Sequence, residues 1–153
     1  MKSTNVKLRN LVIYQVYVRN FSVAGTFLGV VEELDRIKDL GTDVIYLLPI
    51  HEIGILGRKV SLGCPYSIRD YRSIAEELGT KKDFQKLIDE THARKMKVMI
   101  DIVFNHTSKD SVLLQEHPEY FYRDDSGKLS SKVPDWSDVT DFDYSSSRLL
   151  WEE

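Results

Sequence analysis

Asp101, Asn105 and His106 stand together in an apolar run from Lys97 to Ser108 that reads KVMIDIVFNHTS. A carboxylate inside such a run needs hydrogen-bond donors or an opposite charge, because burying it unpaired is very costly. In a regular strand alternate side chains share a face, which sets Asp101, Val103 and Asn105 on one side. Two readings fit these residues. Either Asp101 holds a neighbouring loop and His106 caps the strand end, or both face a polar ligand where chemistry takes place. The spacing alone leaves both open.

A second cluster is GCPYSIRDY, Gly63 to Tyr71. Tyr66 follows Pro65 in a long loop, and an aromatic ring there can stack on a sugar face while offering its hydroxyl. The alternative is that it packs on the base of its own loop. Asp70 reads as loop architecture through an Asx-type contact. A third cluster, PDWSDVTDFDY, places Asp135, Asp138, Asp141 and Asp143 close together. Oxygen-rich runs can ligate calcium, but this one lacks the spacing and the glycine of an EF-hand loop. Solvated turn-makers are the expectation. His51, His92 and His117 have no Cys or His partner at zinc-ligand spacing, so surface or core roles are expected for them. Neither a phosphate-binding glycine loop nor a Gly-x-Ser-x-Gly nucleophile setting occurs.

The elements that must position these residues alternate. LVIYQVYV, from Leu11, is an apolar strand-like run. TFLGVVEELDRIKDLG then carries Val30, Leu34 and Ile37 at helical spacing and stops at Gly41, suited to the position after a helix C-cap. DVIYLLPI is the second apolar run. TKKDFQKLIDETHARKM opens with a Thr-x-x-Asp capping box and sets Phe84, Leu87, Ile88 and Thr91 on one face. KVMIDIVF is the third run. The order β-α-β-α-β with continuously apolar runs predicts a parallel sheet whose strands are buried on both faces. Two connections are long: about thirty residues after LLPI, and nearly forty after NHTS with no clear helix. Both follow strand ends, where α/β folds bind ligands. The last segment, SSSRLLWEE, starts like a helix and then stops.

With 153 residues, 42% of them apolar and 29% charged, the chain reads as one soluble domain. A net charge of −3 argues against a nucleic-acid partner. Charge followed by an apolar run at the N-terminus mimics a signal peptide, but Gln15 and Arg19 break it and no small-residue cleavage site follows. No run approaches the length of a membrane span, so no membrane association is expected. The lone Cys64 suits a reducing compartment and reads as a small buried hydrophobe. The expected location is cytoplasmic.

Six segments, YQVYVRNFS, GTDVIYLLPIHEIG, GCPYSIRDY, DIVFNHTS, HPEYFY and PDWSDVTDFDYS, resemble glycoside hydrolase family 13, the α-amylase family, in the order expected of it. The resemblance runs from about Tyr14 to the end. It implies an α/β fold, the N-terminal part of a (β/α)8 TIM barrel. Residues 1–104 would form its first three βα units, 105–144 a short domain B insertion, and 145–153 the start of the next barrel helix. It also implies that Tyr66, Asp101 and His106 bind substrate, with His106 and Tyr66 at the glucosyl unit beside the cleaved bond. Asn105 matches a residue that ligates structural calcium in many members; no organic cofactor is implied. The family's nucleophile, acid/base and third Asp lie on later strands, and the Gly-x-Arg-x-Asp block is absent from these residues. No catalytic residue is therefore expected within the chain, which alone should be inactive and prone to self-association.

Within the family, Gly63 stands where exo-acting oligo-1,6-glucosidase types carry an Asp, and SVAGTF lacks their acidic calcium-binding run. Both lean toward an α-amylase or neopullulanase type acting on α-glucans or maltooligosaccharides. A non-catalytic relative serving as scaffold or binding module is the alternative. A complete small flavodoxin-like domain is a third reading, against which the unfinished helix and the long excursion count.

Overall fold

A computed structural model describes residues 5–145 and Leu150. In chain order they form β1 (Ile13–Val16), α1 (Val18–Phe21), α2 (Phe27–Val31), α3 (Leu34–Asp39), β2 (Val44–Leu47), β3 (Glu52–Ile53) and β4 (Ile68–Asp70). Then follow α4 (Lys81–Ala93), β5 (Lys97–Ile100), β6 (His106–Ser108), α5 (Val112–Glu116) and β7 (Val139–Asp141). They divide into two compact units. One takes the chain up to Ile50 together with Ile74–Asp101; the other takes His51–Ser73 together with the residues from Ile102 on.

The first unit holds the three apolar runs. They pair in parallel in the order β1-β2-β5, with Ile45 beside Tyr14 on one side and Val98 on the other. Only the central strand meets the expectation of burial on both faces: Val44, Ile45 and Leu47 are all buried, while Ile13 is 52% and Met99 40% exposed. Among the described residues β1 and β5 each pair with one strand, β2.

Val30, Leu34 and Ile37 are fully buried, as their helical spacing predicts. The helix itself is broken, however. α2 tightens at its end, where the Glu33 N–H bonds the Val30 carbonyl three residues back, and α3 restarts one residue later. Gly41 follows α3 at φ +81°, the left-handed conformation that a β-carbon disfavours, and its N–H bonds the Lys38 carbonyl. At α4 both halves of the capping box are made: Thr80 Oγ1 accepts from the Asp83 N–H at 3.2 Å, and Asp83 Oδ2 accepts from the Thr80 N–H at 2.8 Å. Leu87 and Thr91 are buried, with Phe84 and Ile88 half-buried on the same face. Leu87, with Phe84 packed against it, joins Val16, Phe27, Leu47 and Met96 in the core.

The second unit is built from two small antiparallel pairs. β3 pairs with β4, Glu52 opposite Asp70; β6 pairs with β7, His106 opposite Asp141 and Thr107 opposite Thr140. Leu114, Tyr120, Phe121, Phe142 and Leu150 form its core. The stretch after Ser108, expected to lack a helix, contains α5. Five residues make little more than one turn, too short to reveal a helical period against its surroundings. The helix expected from the serine run onward falls outside the described residues, apart from Leu150.

Candidate functional site

Asp101 is not in the middle of a strand. β5 ends at Ile100, and the Asp101 N–H makes one more bond, to the Leu47 carbonyl at 2.8 Å. The shared face predicted for Asp101, Val103 and Asn105 therefore does not form. The donor that a carboxylate needs here comes from Tyr46, whose hydroxyl bonds Asp101. Burial first, and then this carboxylate, push that hydroxyl above the usual tyrosine range. Nothing in the sequence marked Tyr46, since it reads as one more strand aromatic.

In the second unit His106 opens β6 instead of capping a strand. Its position is fixed by Tyr71, whose hydroxyl lies 2.9 Å from the Val103 carbonyl and 3.0 Å from that of His106. One phenolic proton shared between two carbonyls ties down the whole turn from Val103 to His106. Burial holds this hydroxyl far above the usual tyrosine range, so it stays a donor at any ordinary pH. Sequence reasoning passed over Tyr71 in favour of its neighbour Asp70. That neighbour makes the expected Asx contact, accepting from the Arg72 N–H at 2.8 Å.

The half-buried imidazole of His106 meets three groups. Asn105 Nδ2 lies 3.1 Å from Nδ1, the Tyr66 backbone makes a further hydrogen bond, and the Trp136 ring sits edge-on at 5.1 Å between centroids. With the Asn105 amide donating to Nδ1, the ring proton resides on Nε2. Tyr66, Asn105 and His106, all singled out from sequence, are thus neighbours in one unit; Asp101 belongs to the other. Trp136 was missed, because it lies thirty residues on in what reads as an acidic turn.

Burial pushes the His106 pKa below its ordinary 6.5, opposed in part by Asp141, the Tyr66 bond and Asp138. The folded protein therefore disfavours the imidazolium. The stability His106 contributes is complete above 6.5 and falls as pH drops from there toward the lowered folded value, because in that window only the unfolded chain takes up the proton. The difference in unfolding free energy between the wild-type protein and His106→Gln should shrink on acidification through this window. A difference that stays flat or grows would contradict the burial of the ring.

The acidic run is less solvated than expected. Asp141 is buried, with Oδ2 accepting the Lys132 N–H at 2.8 Å and Oδ1 buried without a partner. Asp138 pairs with Lys59 at 3.2 Å. Asp143 accepts from the backbone N–H and the hydroxyl of Ser145. Only Asp135 keeps the exposed turn character predicted for all four. Of the four only Asp141 lies in a strand, β7, where it pairs with His106 and is buried.

Cys64 is exposed, not buried. His51 bonds the Ser73 carbonyl through Nδ1 at 3.0 Å, and His117 stacks on Tyr120 at 4.6 Å. An apolar cavity of about 730 Å³ in the second unit is lined by Tyr71, Phe104, Phe142 and Tyr144 among others; Tyr66 and His106 do not line it. For calcium, the Asn105 amide nitrogen is turned to His106, and no group of three or more His, Cys, Asp or Glu side chains able to hold a metal ion occurs among the described residues. No helix among the described residues is long and apolar enough to cross a membrane.

Chemically the arrangement offers the half-buried imidazole of His106, the residue Tyr66 whose backbone it bonds and the more exposed indole of Trp136, with Asp138 paired to Lys59 and Asp141 Oδ2 bonded to the Lys132 N–H.

A family model described as the α-amylase catalytic domain matches residues 6–146. An oligo-1,6-glucosidase from a Bacillus species is 35% identical over 144 residues, covering 86% of this chain and 27% of that protein. Among solved structures, an α-amylase from Lactobacillus plantarum is 58% identical with a TM-score of 0.92, covering 95% of this chain and 34% of that one. The maltogenic α-amylase AmyB from Thermotoga neapolitana is 42% identical with a TM-score of 0.85 at the same coverage. The chain spans about a third or less of the length of these relatives.

Proposed function

The chain belongs to the α-amylase catalytic-domain family, and on that premise we propose that it supplies a sugar-binding part of a retaining α-glucan hydrolase of α-amylase or neopullulanase type. Its three parallel strands would be the first strands of the (β/α)8 barrel, and residues 105–144 a short domain B. The observation that carries this reading is the hydrogen bond between the His106 ring and the Tyr66 backbone, which brings together two residues forty positions apart whose types suit a glucosyl ring. Tyr66 offers an aromatic face and His106 an uncharged hydrogen-bonding ring, and together they would grip the unit beside the cleaved bond. Asp101, held by Tyr46 within the first unit, is proposed as a substrate-binding residue on the family resemblance alone. Calcium at Asn105 is assigned no step.

Gly63 supports the lean away from exo-acting glucosidases. It sits at φ +72°, and a Cβ there would come within 2.7 Å of Ile53 Cγ2, so an Asp at this position would strain the loop. The 58% identity to an α-amylase points the same way. The exposed Cys64 thiol fits a reducing, cytoplasmic setting.

Bond cleavage by retention needs a carboxylate nucleophile and a carboxylic acid about 5 Å apart. We assign neither role within this chain, because the carboxylates beside His106 are tied to Lys59 and to the Lys132 backbone. The full-length protein should cleave maltoheptaose and release the α-anomer first, followed by NMR. Residues 1–153 alone should release nothing above background. A β-anomer product would overturn the retaining mechanism. Failure of the full-length protein on every α-glucan would favour a non-catalytic scaffold. Turnover that follows the 1–153 polypeptide through a sizing column would overturn the assignment of roles.

A further inference from the structure

Trp136 stands out as the residue the proposed reading has not used. Its indole is 41% exposed although it makes an edge-to-face contact with the half-buried ring of His106. Leaving an aromatic surface of this size in water forgoes its burial energy. Yet the turn that carries it is held on both sides. Before it, Pro134 fixes its own φ and the Trp136 N–H bonds the Val133 carbonyl at 3.0 Å. Lys59, more than seventy residues earlier, then spans the turn: its ammonium donates to the Asp135 carbonyl and pairs with the Asp138 carboxylate at 3.2 Å. Ser67 donates from the other side to the Asp138 carbonyl at 3.3 Å. The segment that supplies Lys59 and Ser67 is the one that carries Tyr66. A turn serving only to pack would bury its largest side chain; this one fixes it and leaves it open beside the two residues assigned to sugar binding.

From this we infer that Trp136 is a second sugar-stacking residue that selects neutral oligosaccharides over single sugars, with Lys59 as its positioning residue. This rests on the proposed function and deepens it. An indole presents a flat apolar face to the C–H groups of a pyranose, and a ring next to His106 would engage the glucosyl unit adjoining the one held by Tyr66 and His106. The charge balance excludes a phosphorylated sugar as the preferred ligand. The Lys59 ammonium is already spent on Asp138, and with Asp135 beside it the turn carries a net negative charge.

The test uses the full-length protein and the series maltose to maltoheptaose. Trp136→Ala should raise KM for maltotriose and longer substrates by about tenfold, more than it lowers kcat, since stacking on a remote ring is uniform binding. Trp136→Phe, which keeps a ring and the fold, should recover most of the loss. Lys59→Ala should give a smaller rise in KM, and combined with Trp136→Ala should add nothing to it, because it acts through the indole. A KM within twofold of wild type in Trp136→Ala, while Tyr66→Ala is impaired, overturns this inference and leaves the proposed function standing. So does a KM rise in Lys59→Ala that adds fully to that of Trp136→Ala. If wild-type protein hydrolyses no α-glucan at all, the proposed function falls first and this inference with it.

Discussion

Tyr66→Ala and His106→Ala in the full-length protein should each lower kcat along with kcat/KM by about 10²-fold or more, a loss of roughly 3 kcal/mol in transition-state binding. The size of the effect follows from where these groups are proposed to act. At the bond being broken the glucosyl ring flattens toward an oxocarbenium ion. Positive charge grows beside the aromatic face proposed for Tyr66, and His106 would hold the flattening ring in place through its hydroxyls. Interactions that strengthen on the way to the transition state raise kcat; those of equal strength throughout do not. The low pKa of His106 keeps it uncharged as it makes this contact, so no cation opposes the charge developing on the sugar. A packing role predicts something else: a lower melting temperature with near-normal turnover per folded molecule. Asp70→Asn is the control, since its carboxylate only closes a local turn with the Arg72 N–H. Near-normal kcat in both Tyr66→Ala and His106→Ala would sink the site assignment.

The largest expected loss of stability comes from Phe27→Ala, at about 3–5 kcal/mol. Phe27 is fully buried at the start of α2, and its ring lies 5.2 Å from that of Phe84 on α4. Removing it deletes the apolar contact and leaves a cavity between two helices that cover the same sheet. Because α4 leads directly into β5, that cavity loosens the strand that runs up to Asp101. Urea unfolding of wild type and variant side by side measures the loss. A value under about 1 kcal/mol would mean that the ring does not bridge α2 and α4 as described.

The sequence by itself determined whatever rests on neighbours in the chain. Val30, Leu34 and Ile37 recur every three or four residues and end up fully buried. The Thr80–Asp83 box spans three residues and forms with both hydrogen bonds in place. The Asx contact of Asp70 and the turn at Gly41 are equally local, and the parallel pairing of three apolar runs follows from their alternation with helices. Tyr66 and His106 were singled out through the motifs around them, although nothing in their spacing says that the ring of one bonds the backbone of the other. What only the tertiary structure decided lies between residues far apart in the chain. Tyr46 donates to Asp101, fifty-five positions on; Tyr71 fastens the turn before His106; Trp136 comes back to His106; and Lys59 holds the turn that carries Trp136. β2 and β5 bring Tyr46 to Asp101; the strands of the second unit, where the other meetings lie, are two or three residues long and show no alternation that a sequence reading could detect. Asp141 was taken for a solvated turn residue because its environment is set by β6 and by the backbone of Lys132, and by nothing adjacent to it. Local geometry repeats and so leaves a period in the sequence; a contact closed across thirty or seventy residues occurs once and leaves none.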